Sequence, residues 1–317
     1  MSTEAAVAAE PTTPGFPGDT ATSDLATLTG AAAPAQSQLR RNLKRFLIGN
    51  KLNLIGLIIV VVFLILAVFG QALAPYDPYA QDITGSKLLP PSASHPMGTD
   101  ELGRDLLSRV MTGSRISLQV AAVVLTFAVL FGTLVGSLAG YFGGIVDEIL
   151  MRFTDMFLAF PALILAIAIA ASLGRELHWT MVALATVFWP WYARLVRGQI
   201  LTIRERDFVT AAESLGLSGP RLLLKHILPN AVSVVIIQLT LDVGYAILAT
   251  SSLSFIGLGA QPPSPEWGTM MSTARNYFRE AWWYTTFPGL ALTLTVFAFN
   301  VLGDGLQDAL DPRSGRR

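Results

Sequence analysis

The chain of 317 residues contains no cysteine. Disulfides, thiolate nucleophiles and cysteine-ligated metal sites are therefore excluded. Histidine is almost as scarce: His95, His178 and His226 lie far apart in sequence and fall on both sides of the topology derived below, so they form no metal-ligand cluster. Charge is also sparse. Asp, Glu, Lys and Arg make up 14% of the residues, where a soluble domain carries roughly 25%. The 22 basic residues are balanced by 22 acidic ones, so no global basic field draws nucleic acid. No G-x-x-x-x-G-K-[ST] segment occurs, which removes a P-loop ATP site. With three scattered histidines no Ser/His/Asp constellation converges. The chain reads as non-enzymatic, without an intrinsic metal or cofactor.

Apolar residues are abundant, at 52%. They gather into six runs of about the length, roughly 20 residues, that spans a hydrocarbon core: Leu54–Leu73, Ile116–Ala139, Phe153–Ser172, Trp179–Leu195, Ala231–Thr250 and Phe287–Leu306. The expected fold is an all-α membrane protein with six transmembrane helices. Residues 1–39 differ, being rich in Ala, Thr, Pro and Gly with almost no aromatics. Such a segment buries too little apolar surface to offset ordering and is read as a disordered tail. It is not a signal peptide, because the first apolar run begins too far in and is too long. Arg40 and Arg41 read as a basic flank of the first helix rather than a twin-arginine signal.

Lys and Arg set the orientation. With the N-terminus inside, fifteen of them fall on inner segments and seven on outer ones. Both termini are then cytoplasmic, including residues 311–317, and so is the polar stretch between the fourth and fifth runs. That stretch, "RERDFVTAAESLGLSGPRLLLKHILPN" from Arg204 to Asn230, has helical periodicity. Phe208, Ala211, Ala212 and Leu215 share one face. Gly216 ends this helix, and Ser218-Gly219-Pro220 begins a second one with Leu222, Leu223 and Ile227 on its apolar face. Leu228-Pro229-Asn230 is expected to stop the second helix and open the fifth span. The pattern is a rigid two-helix elbow, one side packed on its own protein and the other presented outward.

The residues of the elbow resemble a known loop. "TAAESLG" followed by "HILPN" is similar to the EAA loop of ABC importer permeases, in which EAA, three residues, Gly, nine residues and Ile-x-Leu-Pro recur. Ala211, Ala212, Gly216, Leu228 and Pro229 match. Thr210 stands in place of the Glu and His226 in place of the Ile. Two further blocks, "HPMGTDELGRDLLSRVMTGSRISL" from His95 and "LSFIGLGAQPPSPEWGTMM" from Leu253, resemble the dipeptide/oligopeptide/nickel permeases, most closely their C-type subunit. The resemblance implies a type I importer permease fold: a first helix and outer loop over residues 40–112, then a core over 113–310 holding five spans and the 204–230 loop. It implies ATPase coupling through Thr210, Ala211, Ala212, Glu213, Gly216, Leu228 and Pro229. It implies as partners a second, B-type permease subunit, two ATPase modules that bind ATP and Mg, and an extracytoplasmic substrate-binding protein, in a bacterial plasma membrane. The implied cargo is a di- or oligopeptide, with nickel chelates, haem and glutathione as alternatives.

Other residues stand out. Asp155 reads as a helix-end carboxylate near Arg152, one turn away. Asp242, deep in the fifth run, either lines a translocation path or bonds a neighbouring helix. Gly132, Gly136 and Gly140 form a small-xxx-small ladder for close helix packing. Pro161 is placed to kink the third span. Trp189, Trp191 and Tyr192 fit an interfacial aromatic belt. The loop from Ser252 to Tyr284 is long and tryptophan-bearing, suited to re-enter toward the pore or to meet a delivery protein. An ion-driven secondary transporter would show paired internal repeats, and no convincing one is present. A channel would show a ring of charge along its pore, and none is legible.

Overall fold

The apolar runs become helices because backbone polar groups without water must be satisfied within their own segment. In a computed structural model, residues 51–310 are described. The 1–39 tail, the basic flank at Arg40 and Arg41 and the 311–317 terminus lie outside them. The regular structure of the described residues is helical, with one isolated bridge between Thr99 and Asp105. The helices are α1 (Lys51–Leu73), α2 (Leu106–Phe142), α3 (Gly144–Leu158), α4 (Ala162–Leu173), α5 (Leu177–Arg204), α6 (Asp207–Ser214), α7 (Gly219–Leu222), α8 (Leu228–Phe255), α9 (Trp267–Ala274) and α10 (Trp282–Leu310). A π-helical turn, Leu223–Ile227, joins α7 to α8.

Among the described residues, four helices are long and apolar enough to cross a membrane: α1, α2, the continuous Gly219–Phe255 stretch and α10. The expected third span is not one straight helix. It is the pair α3 and α4, bent by 84°, which counts as a fifth candidate if the pair is one broken span. Pro161 marks the break, with φ −55° and ψ 123° at the start of α4, and the residue before a proline is steered out of the helical region. The expected fourth span lies on α5, where Arg194 and Arg197 lower the apolar character. The second span is longer than its apolar run. At 1.5 Å per residue the 37 residues of α2 reach about 55 Å, and Asp105 caps its start by accepting the Ser108 amide at 2.8 Å.

The glycine ladder of α2 lies on α5. A Cβ at Gly132 would stand 2.5 Å from the Tyr192 Cβ, one at Gly136 would meet the Ala193 carbonyl, and one at Gly140 would stand 3.1 Å from the Arg197 carbonyl. Close backbone approach is what small residues permit between membrane helices. The seam explains a departure from the aromatic-belt expectation: Trp189 and Tyr192 face α2 and are buried, and only Trp191 is exposed. Elsewhere α1 packs on α2 and α10, with Gly70 against the Met111 carbonyl and Gly56 against Val301. Gly244 of α8 meets Val296 of α10.

The carboxylates near α3 pair across helices rather than along one. Asp155 accepts from Arg194 of α5 at 2.6 Å, whereas Arg152 turns back to Glu148 at 3.1 Å. The neighbour one turn away is not the partner of Asp155: Arg152 takes the i,i+4 acid Glu148 instead, and Arg194 reaches Asp155 from α5. Asp147 receives a bidentate pair from Arg197, at 2.5 and 2.6 Å.

Candidate coupling elbow and mid-span cleft

The segment 204–230 forms an elbow. In α6 the carbonyls at the C-terminal end are closed by two bonds, Gly216 N–H to the Glu213 carbonyl at 2.8 Å and Leu217 N–H to the Ala212 carbonyl at 3.3 Å. This is a Schellman closure, which needs a left-handed residue at its corner. Gly216 supplies it with φ +79° and open space around its Cα. The turn reverses the chain into α7, where Pro220 occupies the first turn.

The inward side of the elbow differs from the four-residue face expected for α6. Val209 and Ala212 are buried, while Phe208, Ala211 and Leu215 are exposed, Leu215 at 82%. The apolar stripe is thus split, with its larger part turned away from the protein. Thr210, Glu213 and Pro229 are also exposed and Leu228 is half-buried. The second half of the elbow is anchored by Leu222, Leu223 and Ile227, all buried.

Leu228-Pro229 does not end the second helix. The Leu228 amide reaches back five residues to the Leu223 carbonyl, and the wider π turn carries the chain past Pro229, which has no N–H to donate. Asn230 Nδ2 donates to the His226 carbonyl at 2.6 Å. The elbow and the following span are therefore one continuous stretch, Gly219–Phe255. The other half is tied to α2: Arg204 Nη1 donates to the Tyr141 carbonyl at 2.8 Å, and its guanidinium lies 5.8 Å from the Tyr141 ring centroid. The elbow thus joins α5 on one side to α8, through α7, on the other.

Between α5 and α8 lies a cleft of about 560 Å³, and Asp242 lines it together with Gln238, Tyr245, Phe188, Trp191 and Arg194. Tyr192 donates to Asp242 Oδ2 at 2.7 Å, and Gln238 Nε2 donates to Oδ1 at 2.9 Å. The sequence left Asp242 between a path-lining role and a helix-bonding role; the structure bonds it to Tyr192 of α5 and sets it on the wall of the cleft. Tyr192 and Gln238 had not been singled out as its partners. The signal that finds Tyr192 is the buried row Trp189, Ala193, Val196, Ile200 on α5, which places 189, 192 and 193 on the packed face.

At the opposite end of the bundle, the long loop expected between 252 and 284 is largely structured. α8 continues to Phe255, and α9 folds back so that Trp267 is wholly buried, donating its indole N–H to the Val110 carbonyl at 3.1 Å. Glu266, also wholly buried, caps α9. His95 belongs to this end and meets Asp105 at 2.9 Å, while His178 lies beside Glu176 and His226 in the π turn.

Residues 132–316, which hold both the elbow and the cleft, match the binding-protein-dependent transport system inner membrane component. The chain belongs to this family. Residues 37–91 match the N-terminal transmembrane domain of oligopeptide transport permease C. Relatives include the probable D,D-dipeptide transport system permease protein DdpC of Escherichia coli (strain K12), 46% identical over 90% of this chain and 97% of its own length. The dipeptide transport system permease protein DppC of the same strain is 45% identical over 83% of this chain and 90% of its own length. The glutathione transport system permease protein GsiD of Shigella flexneri serotype 5b (strain 8401) is 45% identical over 80% and 84%. The chain is accordingly a multi-pass membrane transport subunit.

Proposed function

We propose that the chain is the C-type permease subunit of an ATP-driven importer of di- and oligopeptides in a bacterial plasma membrane. Six spans place both termini in the cytoplasm, with α3 and α4 as a broken third span and α5 as the fourth. A B-type permease subunit completes the pore, an extracytoplasmic binding protein delivers the peptide, and two cytoplasmic ATPase modules bind ATP and Mg. ATPase closure moves the elbow, and the elbow tilts α5 and α8 to switch access from one face to the other. The observation that carries this reading is the form of the elbow: a short helix with an exposed Phe208–Ala211–Leu215 stripe, closed at Gly216, set between the end of α5 and the continuous Gly219–Phe255 stretch. A rigid element joined to two spans is suited to such a transition.

The expected test uses the whole reconstituted importer, with its binding protein, in vesicles. Gly216→Pro and Ala212→Asp should reach the membrane at normal levels and hydrolyse ATP, yet lose most peptide uptake. Unchanged uptake by both variants would sink the assignment. A second cargo, glutathione, is favoured by the 45% identity to a permease named for it. Mass spectrometry of the ligand carried by the purified binding protein decides between the two.

A further inference from the structure

We propose that the Asp242 cleft recognises the free α-ammonium group of the peptide in transit. The inference rests on the importer reading above and assigns a chemistry to one point of its path.

Asp242 stands at the midpoint of α8, residues 228–255, about 20 Å from either end. Its two protein partners, Tyr192 and Gln238, are neutral donors. Among the described residues no Lys, Arg or His forms an ion pair with it: Arg194, the cation lining the same cleft, is engaged by Asp155 at 2.6 Å. A carboxylate offers about four lone-pair sites, and only one bond reaches each oxygen here. The carboxylate therefore keeps accepting capacity on the side of the cleft. An intramembrane acid left uncompensated by its own chain marks a substrate or ion pathway by default.

The surroundings select among cations. A divalent metal ion requires six or more oxygen ligands, or several firmly held ones with water, and one carboxylate with an amide and a phenol does not supply them. A primary ammonium needs about three acceptors and gains from aromatic faces. Asp242 and the Gln238 carbonyl oxygen, left over when Nε2 bonds Asp242, are such acceptors. Tyr245 lies beside Phe188 with ring centroids 5.4 Å apart, and both line the cleft with Trp191. Trp191 and Tyr245 are 61% and 50% exposed. Gln238, Asp242 and Tyr245 fall at i, i+4 and i+7, one face of α8. The volume, about 560 Å³, is within the range of small-molecule sites.

The test is made on the whole importer in vesicles, with Ala-Ala as cargo and binding-protein-stimulated ATP hydrolysis measured in parallel. Asp242→Asn should lower uptake at least tenfold while the stimulated hydrolysis stays within twofold of wild type. Asp242→Glu should recover most of the uptake. Tyr192→Phe, which removes a bond to the acid but leaves the charge, should keep more than half of it. Uptake by Asp242→Asn within twofold of wild type overturns the inference, and so does a loss by Tyr192→Phe as deep as that of Asp242→Asn, which would mark a packing role. If the wild-type complex imports no compound with a free α-amino group, the importer reading itself fails and this inference with it. Import by wild type that survives in Asp242→Asn removes the inference alone.

Discussion

Glu266 shows how much one buried residue organises. Its Oε1 accepts from Ser251 at 2.9 Å, and its Oε2 accepts from the Thr269 amide at 2.9 Å and the Thr269 hydroxyl at 3.1 Å. It caps α9 and ties it to α8 at once. Glu266→Ala should therefore cost about 1–3 kcal/mol, a lost cap plus stranded donors, and Glu266→Gln less, since it keeps an acceptor oxygen. Thermal unfolding of the purified protein in detergent checks this, and an unchanged midpoint for Glu266→Ala would count against it. Gly216 is a different kind of residue. Nothing lies within 4 Å of a Cβ there, so Gly216→Ala introduces no clash, only a side chain at φ +79°, a strain of about 1 kcal/mol. Gly216 was legible because a helix-ending glycine is a local signal. The tie from Glu266 to α8 was not, because its Ser251 partner lies on the end of another helix.

At the scale of elements, legibility followed the same division. The glycine ladder could be read from α2 alone, but that it lies on α5 could not. That partnership turned Trp189 and Tyr192 inward and broke the aromatic-belt reading. The stripe on α6 was found by its period, while its direction was not legible, since periodicity shows which residues share a face and not what the face meets. The broken third span was signalled by Pro161, while the Asp155–Arg194 pair between α3 and α5 was not. The α2–α5 seam makes a sharp prediction from two glycines. Gly136 is pressed against the Ala193 carbonyl, and Gly198 on α5 faces open space with an ordinary helical backbone. Gly136→Leu should force the helices apart and remove monodisperse protein from gel filtration. Gly198→Ala should be tolerated, with a gain of up to about 1 kcal/mol in helix propensity. Equal yields of the two variants would refute the seam as a close-packed contact.

Across the whole molecule, residues that served as topology signals turn out to be structural. Arg104 and Arg109 counted toward the outer charge, yet both are buried at 3% exposure. Arg104 meets Asp100 at 2.6 Å and Glu101 at 3.0 Å. Glu101 also accepts from the Tyr284 hydroxyl of α10. Arg109 lies 3.4 Å from Asp100 and donates to the carbonyls of Pro78 at 3.0 Å and Pro263 at 3.3 Å. One guanidinium on α2 thus holds the loop after α1 and the loop before α9 together. The family resemblance of the block from His95 to Leu118 was visible in sequence. The network was not, because it joins residues 31 and 154 positions apart. Removing one member of a buried ion cluster costs about 3–5 kcal/mol. Arg109→Ala should loosen these loops while the long helices stay packed, so cleavage by trypsin at the exposed Lys87 should accelerate by at least about tenfold, the ratio that 1.4 kcal/mol of easier local opening gives. Arg109→Lys, which keeps a charge but cannot reach both carbonyls with a planar fork, should fall between. Equal cleavage of wild type and Arg109→Ala at Lys87 would show that the loops are held without this residue.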